Sequence, residues 1–114
     1  MVGTSGEDLP RRGEVWWVRV DKRRPAVVVQ TDKVRESRVR SFLVVPLTSR
    51  THLEGLPGNL RLDRRDTGLP KASVANVYDV QKVLRQDFVE RLGRLSPTRL
   101  EALADGLRVV FDLA

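Results

Sequence analysis

The sequence argues for a mainly β fold, a small, partly open barrel with one α-helix against it at the C-terminal end. Three features carry that expectation. Two apolar, β-branched runs, Arg24-Pro25-Ala26-Val27-Val28-Val29-Gln30 and Phe42-Leu43-Val44-Val45-Pro46-Leu47-Thr48-Ser49, are bounded by polar residues, as strands are. Turn residues recur about every eight to twelve positions, a spacing typical of short strands. A single stretch after Ser96-Pro97 places its apolar residues at helical spacing.

A chain of 114 residues makes one domain and buries roughly two-thirds of its unfolded surface. With 40% hydrophobic and 32% charged residues, the composition is that of a globular chain, not a disordered one. No apolar run approaches the ~20 residues of a membrane helix. The start of the chain lacks a basic-then-apolar signal pattern, so secretion is not expected and the cytoplasm is. The absence of cysteine excludes disulfides, thiol nucleophiles and zinc–thiolate sites. A net charge of +6 favours a polyanionic partner, an attraction that salt weakens. Nucleic acid and an acidic protein satisfy that field equally, and plain solubility is the alternative.

Taken in order, residues 1–10 lack periodicity and read as a loose tail, leaving 11–114 as the domain. The first strand spans residues 14–20. Trp16, Val18 and Val20 share one face of it, and Val15, Trp17 and Arg19 the other. Trp16 reads as core. Trp17 reads as core or subunit contact, with stacking on a base as the alternative. Asp21-Lys22-Arg23 is a very short connection to the first apolar run. Residues 31–41 form a polar loop between the two runs.

Residues 52–57 are turn-rich, 59–63 form a short strand, and 64–68 make a turn with a local positive cluster. Residues 72–77 and 80–84 read as β, with a bend at Tyr78-Asp79. Gln86-Asp87 makes another turn before a last strand at 89–95. Ser96 then caps a helix, Pro97 suits its first position, and Arg99 stands where a full capping box would place Glu. Leu100, Leu103, Ala104, Leu107, Val110 and Phe111 form its apolar stripe, for packing on the barrel or a second subunit. Gly106 weakens this helix by about 1 kcal/mol relative to Ala.

If the two apolar runs pair antiparallel about the 31–41 loop, matching 31 with 41 also matches Arg24 with Thr48. A guanidinium then stands beside a hydroxyl at one rim of the sheet, a plausible site for a phosphodiester. On these residues alone, the plainer alternative is a strand-end Arg and Thr that cap a β edge.

Several blocks, in this order, resemble the MazF/PemK (Kid) family of toxin endoribonucleases. They are Arg12-Gly13-Glu14-Val15-Trp16-Trp17-Val18, Arg-Pro-Ala-Val-Val-Val from Arg24, Val-Val-Pro-Leu-Thr-Ser from Val44, Gly68-Leu69-Pro70-Lys71-Ala72-Ser73-Val74, and Gly93-Arg94-Leu95-Ser96. The resemblance spans nearly all of residues 11–113. No block is specific alone; their order and spacing are. It implies an SH3-like barrel of the type shared with the gyrase-poison relatives (CcdB/MazF), working as a homodimer. It also implies sequence-specific, metal-independent cleavage of single-stranded RNA to 2′,3′-cyclic phosphate and 5′-OH ends, with no cofactor. The partner it implies is a cognate antitoxin with an acidic tail.

By the same resemblance Arg24 and Thr48 match the catalytic pair. A guanidinium stays charged and can meet two phosphate oxygens in a fork, though it is a poor proton donor. The general base is unresolved; Asp79 and Glu14 are candidates by residue type only. With one histidine, His52, a two-histidine acid–base pair within one subunit is excluded. Lys22, Arg23, Arg50, Arg64, Arg65, Lys71 and Lys82 could track an RNA backbone, or be solvated surface charges. Asp79 and Ser49 complete the candidate RNA-contacting set, Ser49 ranking lower because a regular strand turns it away from Thr48. Many family members carry a longer first loop with acidic and Gly residues of the site. This chain lacks it, so neither that acidic role nor the usual target sequence transfers. No Walker, Rossmann, EF-hand or zinc spacing is present. The rivals are a gyrase poison, which the missing C-terminal Trp argues against, and a non-catalytic nucleic-acid- or protein-binding barrel.

Overall fold

The computed structural model describes residues 9–33 and 40–113. β1 (Glu14–Val20), β2 (Lys22–Val28), β3 (Ser41–Thr48), β4 (Leu60–Leu62), β5 (Ser73–Ala75), β6 (Gln81–Leu84) and β7 (Phe88–Arg94) form one sheet, ordered β4-β5-β3-β2-β1-β7. All pairs are antiparallel. β3 is the hub. One edge holds β2, while the other holds β6 along residues 41–44 and β5 at residues 47–48. Between these two partners stands Pro46, which has no N–H to give to a ladder. Its carbonyl instead accepts the Asn76 N–H at 3.0 Å. By switching partners along its length, β3 curls the sheet into the expected half-barrel.

The β2–β3 register follows the line drawn from 31 and 41: Ala26 faces Pro46, Val27 faces Val45 and Val28 faces Val44. β1 has the expected bounds. Its connection to β2 is shorter than expected, because Asp21 alone makes the turn at φ 63° and Lys22 and Arg23 already pair with Val20 and Arg19. Asp is one of the few side chains that tolerates this left-handed conformation. β2 ends at Val28 rather than Gln30.

Both faces of the sheet are covered, which is why β2 and β3 read as unbroken apolar runs. On one face Val15, Val27, Val45 and Leu47 meet Leu103 of α2 (Pro97–Val110). On the other, Val18, Ala26, Val28, Val44 and Val83 pack with half-buried Trp16, Val20 and Phe88. The alternation expected along β1 thus holds, despite irregular pairing with β7 on either side of Trp16-Trp17. Phe88 stands edge-on to both Trp16 and Phe42 at 5.6 Å.

The helix is capped as expected, with Ser96 Oγ accepting the Arg99 N–H at 3.2 Å. Leu103 is fully buried, which stabilises by about 1.5–3 kcal/mol. Phe111 departs from the expected stripe: it lies past the helix end and is 57% exposed. Gly106 has a positive reason to be there. A Cβ on it would overlap the carbonyl of Gly58, so the helix can touch that turn only through glycine.

Several expected turns carry short helical structure. Residues Thr51–Gly55, Val77–Asp79 and Arg85–Asp87 are single 3-10 turns. The basic 64–68 turn contains α1 (Arg64–Thr67), closed at its start by a reciprocal Asp63–Asp66 capping box. The 31–41 loop falls partly, at 34–39, outside the described residues, as do 1–8 of the expected tail. Leu9 and Pro10, its last two residues, are buried.

Candidate active site

Arg24 lies early in β2 and Thr48 ends β3, two residues beyond the matched pair Ala26 and Pro46. Continuation of that register brings them to the same rim, and both line one groove of about 420 Å³. Lys22 and Arg50 line it as well, with Asp79 as its carboxylate. Arg24 is exposed and forms none of the ion pairs found among the described residues. Three cations against one carboxylate give the groove a net positive charge.

Thr48 is held by its own chain. Its Oγ1 accepts the Arg50 N–H at 3.1 Å, a local turn that fixes the side chain as the strand ends. The hydroxyl proton remains available to donate. The same turn corrects the expectation for Ser49. The strand stops at Thr48, so regular alternation no longer applies, and Ser49 lines the groove too.

Asp79 accepts a hydrogen bond from Gln81 Nε2 at 2.9 Å. Glu14 serves another purpose. It is 3% exposed and accepts from Trp16 Nε1 at 3.0 Å, the Arg11 N–H at 2.9 Å and Arg91 Nη1 at 3.1 Å. Its carboxylate joins β1, β7 and the entering chain, away from the groove. His52 is exposed on a 3-10 turn and does not line the groove.

The other candidates disperse. Arg23 pairs with Glu90 at 3.0 Å and covers the Trp17 ring at 4.9 Å. Arg64 and Arg65 are exposed on α1, and Lys82 lies on β6 opposite Leu43; none of them lines the groove. Lys71 lines a second, smaller pocket that shares Pro25, Leu47 and Ser49 with the groove. Sequence reasoning missed Asn76, which lines the groove between β5 and the next turn. Its side-chain oxygen accepts from Tyr78 N and Asn59 Nδ2, each at 3.3 Å. An Asn just before a polar turn was the available signal. Among the described residues no group of three His, Asp or Glu side chains is placed to hold a metal ion.

A curled β half-barrel with one C-terminal helix is an architecture shared with solved MazF toxins. Residues 11–111 match the PemK-like, MazF-like toxin of type II toxin-antitoxin systems, and the chain belongs to that family. Over 106 residues it is 38% identical to the probable endoribonuclease MazF5 of Mycobacterium tuberculosis, covering 91% of this chain and 94% of that one. It is 33% identical over 110 residues to endoribonuclease MazF6 of the same species, covering 90% and 96%. Among solved structures, the M. tuberculosis toxin MazF-mt6 superposes with a TM-score of 0.78 at 26% identity, covering 89% of this chain and 98% of that one. A mycobacterial endoribonuclease solved with its cognate antitoxin shares the fold, with a TM-score of 0.76 at 17% identity and coverage of 94% and 97%.

Proposed function

We propose that this MazF-type endoribonuclease cuts single-stranded RNA at defined sequences without a metal ion, leaving 2′,3′-cyclic phosphate and 5′-OH ends. The observation that carries the reading is the groove that Arg24 and Thr48 share. RNA holds its own nucleophile, the 2′-OH beside each phosphorus. The protein's task is to help remove the 2′-OH proton, to steady the charge that develops on the phosphoryl oxygens, and to protonate the leaving 5′-oxygen.

Arg24 offers a two-pronged, permanently charged donor to the pentacoordinate phosphorus and assists protonation of the leaving oxygen. Thr48 donates its free hydroxyl proton to a phosphoryl oxygen and so positions the scissile group. Lys22 and Arg50 hold the neighbouring phosphates, and Ser49 and Asn76 offer polar contacts along the same path. Of the two carboxylates considered as base, Asp79 reaches the groove and Glu14 does not.

The chain acts as the toxin of a cytoplasmic toxin–antitoxin pair. Its antitoxin carries an acidic segment that fits the same cationic groove and so competes with RNA. The toxin works as a homodimer. The subunit contact is made through a face of the barrel. Light scattering at micromolar concentration is expected to show twice the chain mass, and a single 13-kDa species contradicts the dimer.

The test of the reaction is incubation of a defined RNA with excess EDTA, followed by end-group analysis. Fragments with cyclic phosphate and 5′-OH ends are expected. Cleavage lost on chelation, or 5′-phosphate products, contradict the proposal. Binding without any cleavage favours a non-catalytic barrel.

A further inference from the structure

We infer that the pocket beside the groove is a nucleobase subsite in which Ser73 reads a carbonyl of a base next to the cut phosphodiester. This rests on the proposed RNA cleavage. The pocket has a volume of about 240 Å³, with Pro25, Leu47, Leu69, Pro70 and Ala72 as its apolar walls. Apolar walls suit the face of a base, and single-stranded RNA is read by bases splayed out and held at their edges.

Ser73 supplies the edge contact. It lines this pocket, is 4% exposed, and its Oγ has no hydrogen-bond partner among the described residues. Buried polar groups are ordinarily paired, so this one calls for a reason. Thr67, equally buried, shows the usual case: its Oγ1 accepts the Leu69 N–H at 3.0 Å. The Ser73 backbone is fixed where β5 pairs with β4, opposite Leu62, so its buried hydroxyl is held on a rigid element in the pocket wall and is reached by a base through a turn of its side chain.

The donor set selects the ligand. Lys71, exposed on the same pocket, can only donate, while a Ser hydroxyl can donate or accept. Together they favour an edge bearing a carbonyl oxygen, as in uracil, guanine or cytosine, over adenine, which has none. Position selects the nucleotide. Pro25, Leu47 and Ser49 belong to both cavities and are chain neighbours of Arg24 and Thr48. A base seated here therefore belongs to a nucleotide adjoining the phosphorus held in the groove.

The test maps cut sites on a mixed-sequence RNA, by sequencing from the new 5′-OH ends, for the full-length protein, Ser73→Ala and Lys71→Met. The parent is expected to prefer a carbonyl-bearing base at one nucleotide flanking the cut. Ser73→Ala is expected to lose about tenfold of that preference at that nucleotide alone. Its melting temperature should hold or rise, since an unpaired buried hydroxyl has gone. Lys71→Met is expected to weaken the same preference. An unchanged profile in both variants overturns the subsite, and is the result expected if the pocket receives an antitoxin side chain instead. A uniform fall at all sequences with a lower melting temperature overturns it too, by making Ser73 structural. A parent that cuts no RNA fails the proposed function first; a parent that cuts, with variants that keep its profile, fails only the subsite.

Discussion

At Thr48 the backbone holds a side chain in place. One lone pair of the oxygen is engaged by the Arg50 N–H, and the hydroxyl proton stays free to donate. Thr48→Val keeps the shape and removes that donor. A hydrogen bond to a charged group contributes about 1.5–3 kcal/mol, so a fall of roughly 10–100-fold in kcat/KM is expected, with a melting temperature only slightly lowered by loss of the exposed Arg50 N–H contact. A valine variant that cuts at the parental rate removes the hydroxyl from the mechanism. Glu14 makes the opposite case, a carboxylate spent on three donors inside the fold. Glu14→Ala leaves the part-buried Trp16 Nε1 and Arg11 N–H donors short of a partner and should cost about 1–2 kcal/mol in urea unfolding. Cleavage per folded molecule should persist; its loss in a folded variant would make Glu14 part of the chemistry. That Arg24 and Thr48 come to line one groove was legible because two apolar runs fixed a register and the register fixed the rim. Ser73 was not, since a serine in a small-residue strand gives no sign that its hydroxyl lacks a partner until burial is known.

Among the elements, β1, β2, β3, the last strand and the capped helix were all readable, each carrying a strong period or a cap. The 3-10 turns were not, because three to five polar residues have no period to detect. Gly106 was read for its local cost alone. In an isolated helix Gly106→Ala would gain about 1 kcal/mol. Here the added methyl meets the Gly58 carbonyl, and the helix must shift away from the turn. Overpacking of this kind costs about 1–3 kcal/mol, so the substitution is expected to destabilise, reversing the sign given by propensity. Thermal or urea unfolding reads the sign directly, and a stabilised variant would mean that α2 does not rest on that turn. Arg23 shows a related limit. Its place in the sequence suggested an RNA contact, but strand pairing carries it across to Glu90 and Trp17.

For the whole molecule, the net charge of +6 pointed to a polyanion without saying where it binds. Folding concentrates Lys22, Arg24 and Arg50 at one groove and spreads Arg64, Arg65 and Lys82 elsewhere. Binding of a non-cleavable single-stranded oligonucleotide should therefore weaken with salt. For three phosphate contacts the slope of log K against log salt is expected near −2. A slope near zero would contradict phosphate recognition by this groove, and a far steeper one would bring in the dispersed cations. The most direct measurement is single-turnover cleavage of a defined RNA by Arg24→Ala, with circular dichroism confirming the fold. Arg24 is exposed, so the variant should fold as the parent does. Its rate is expected to fall by about 10²–10³, the usual effect of removing one such donor. A folded Arg24→Ala protein that cuts as fast as the parent would contradict the assignment of this groove as the active site.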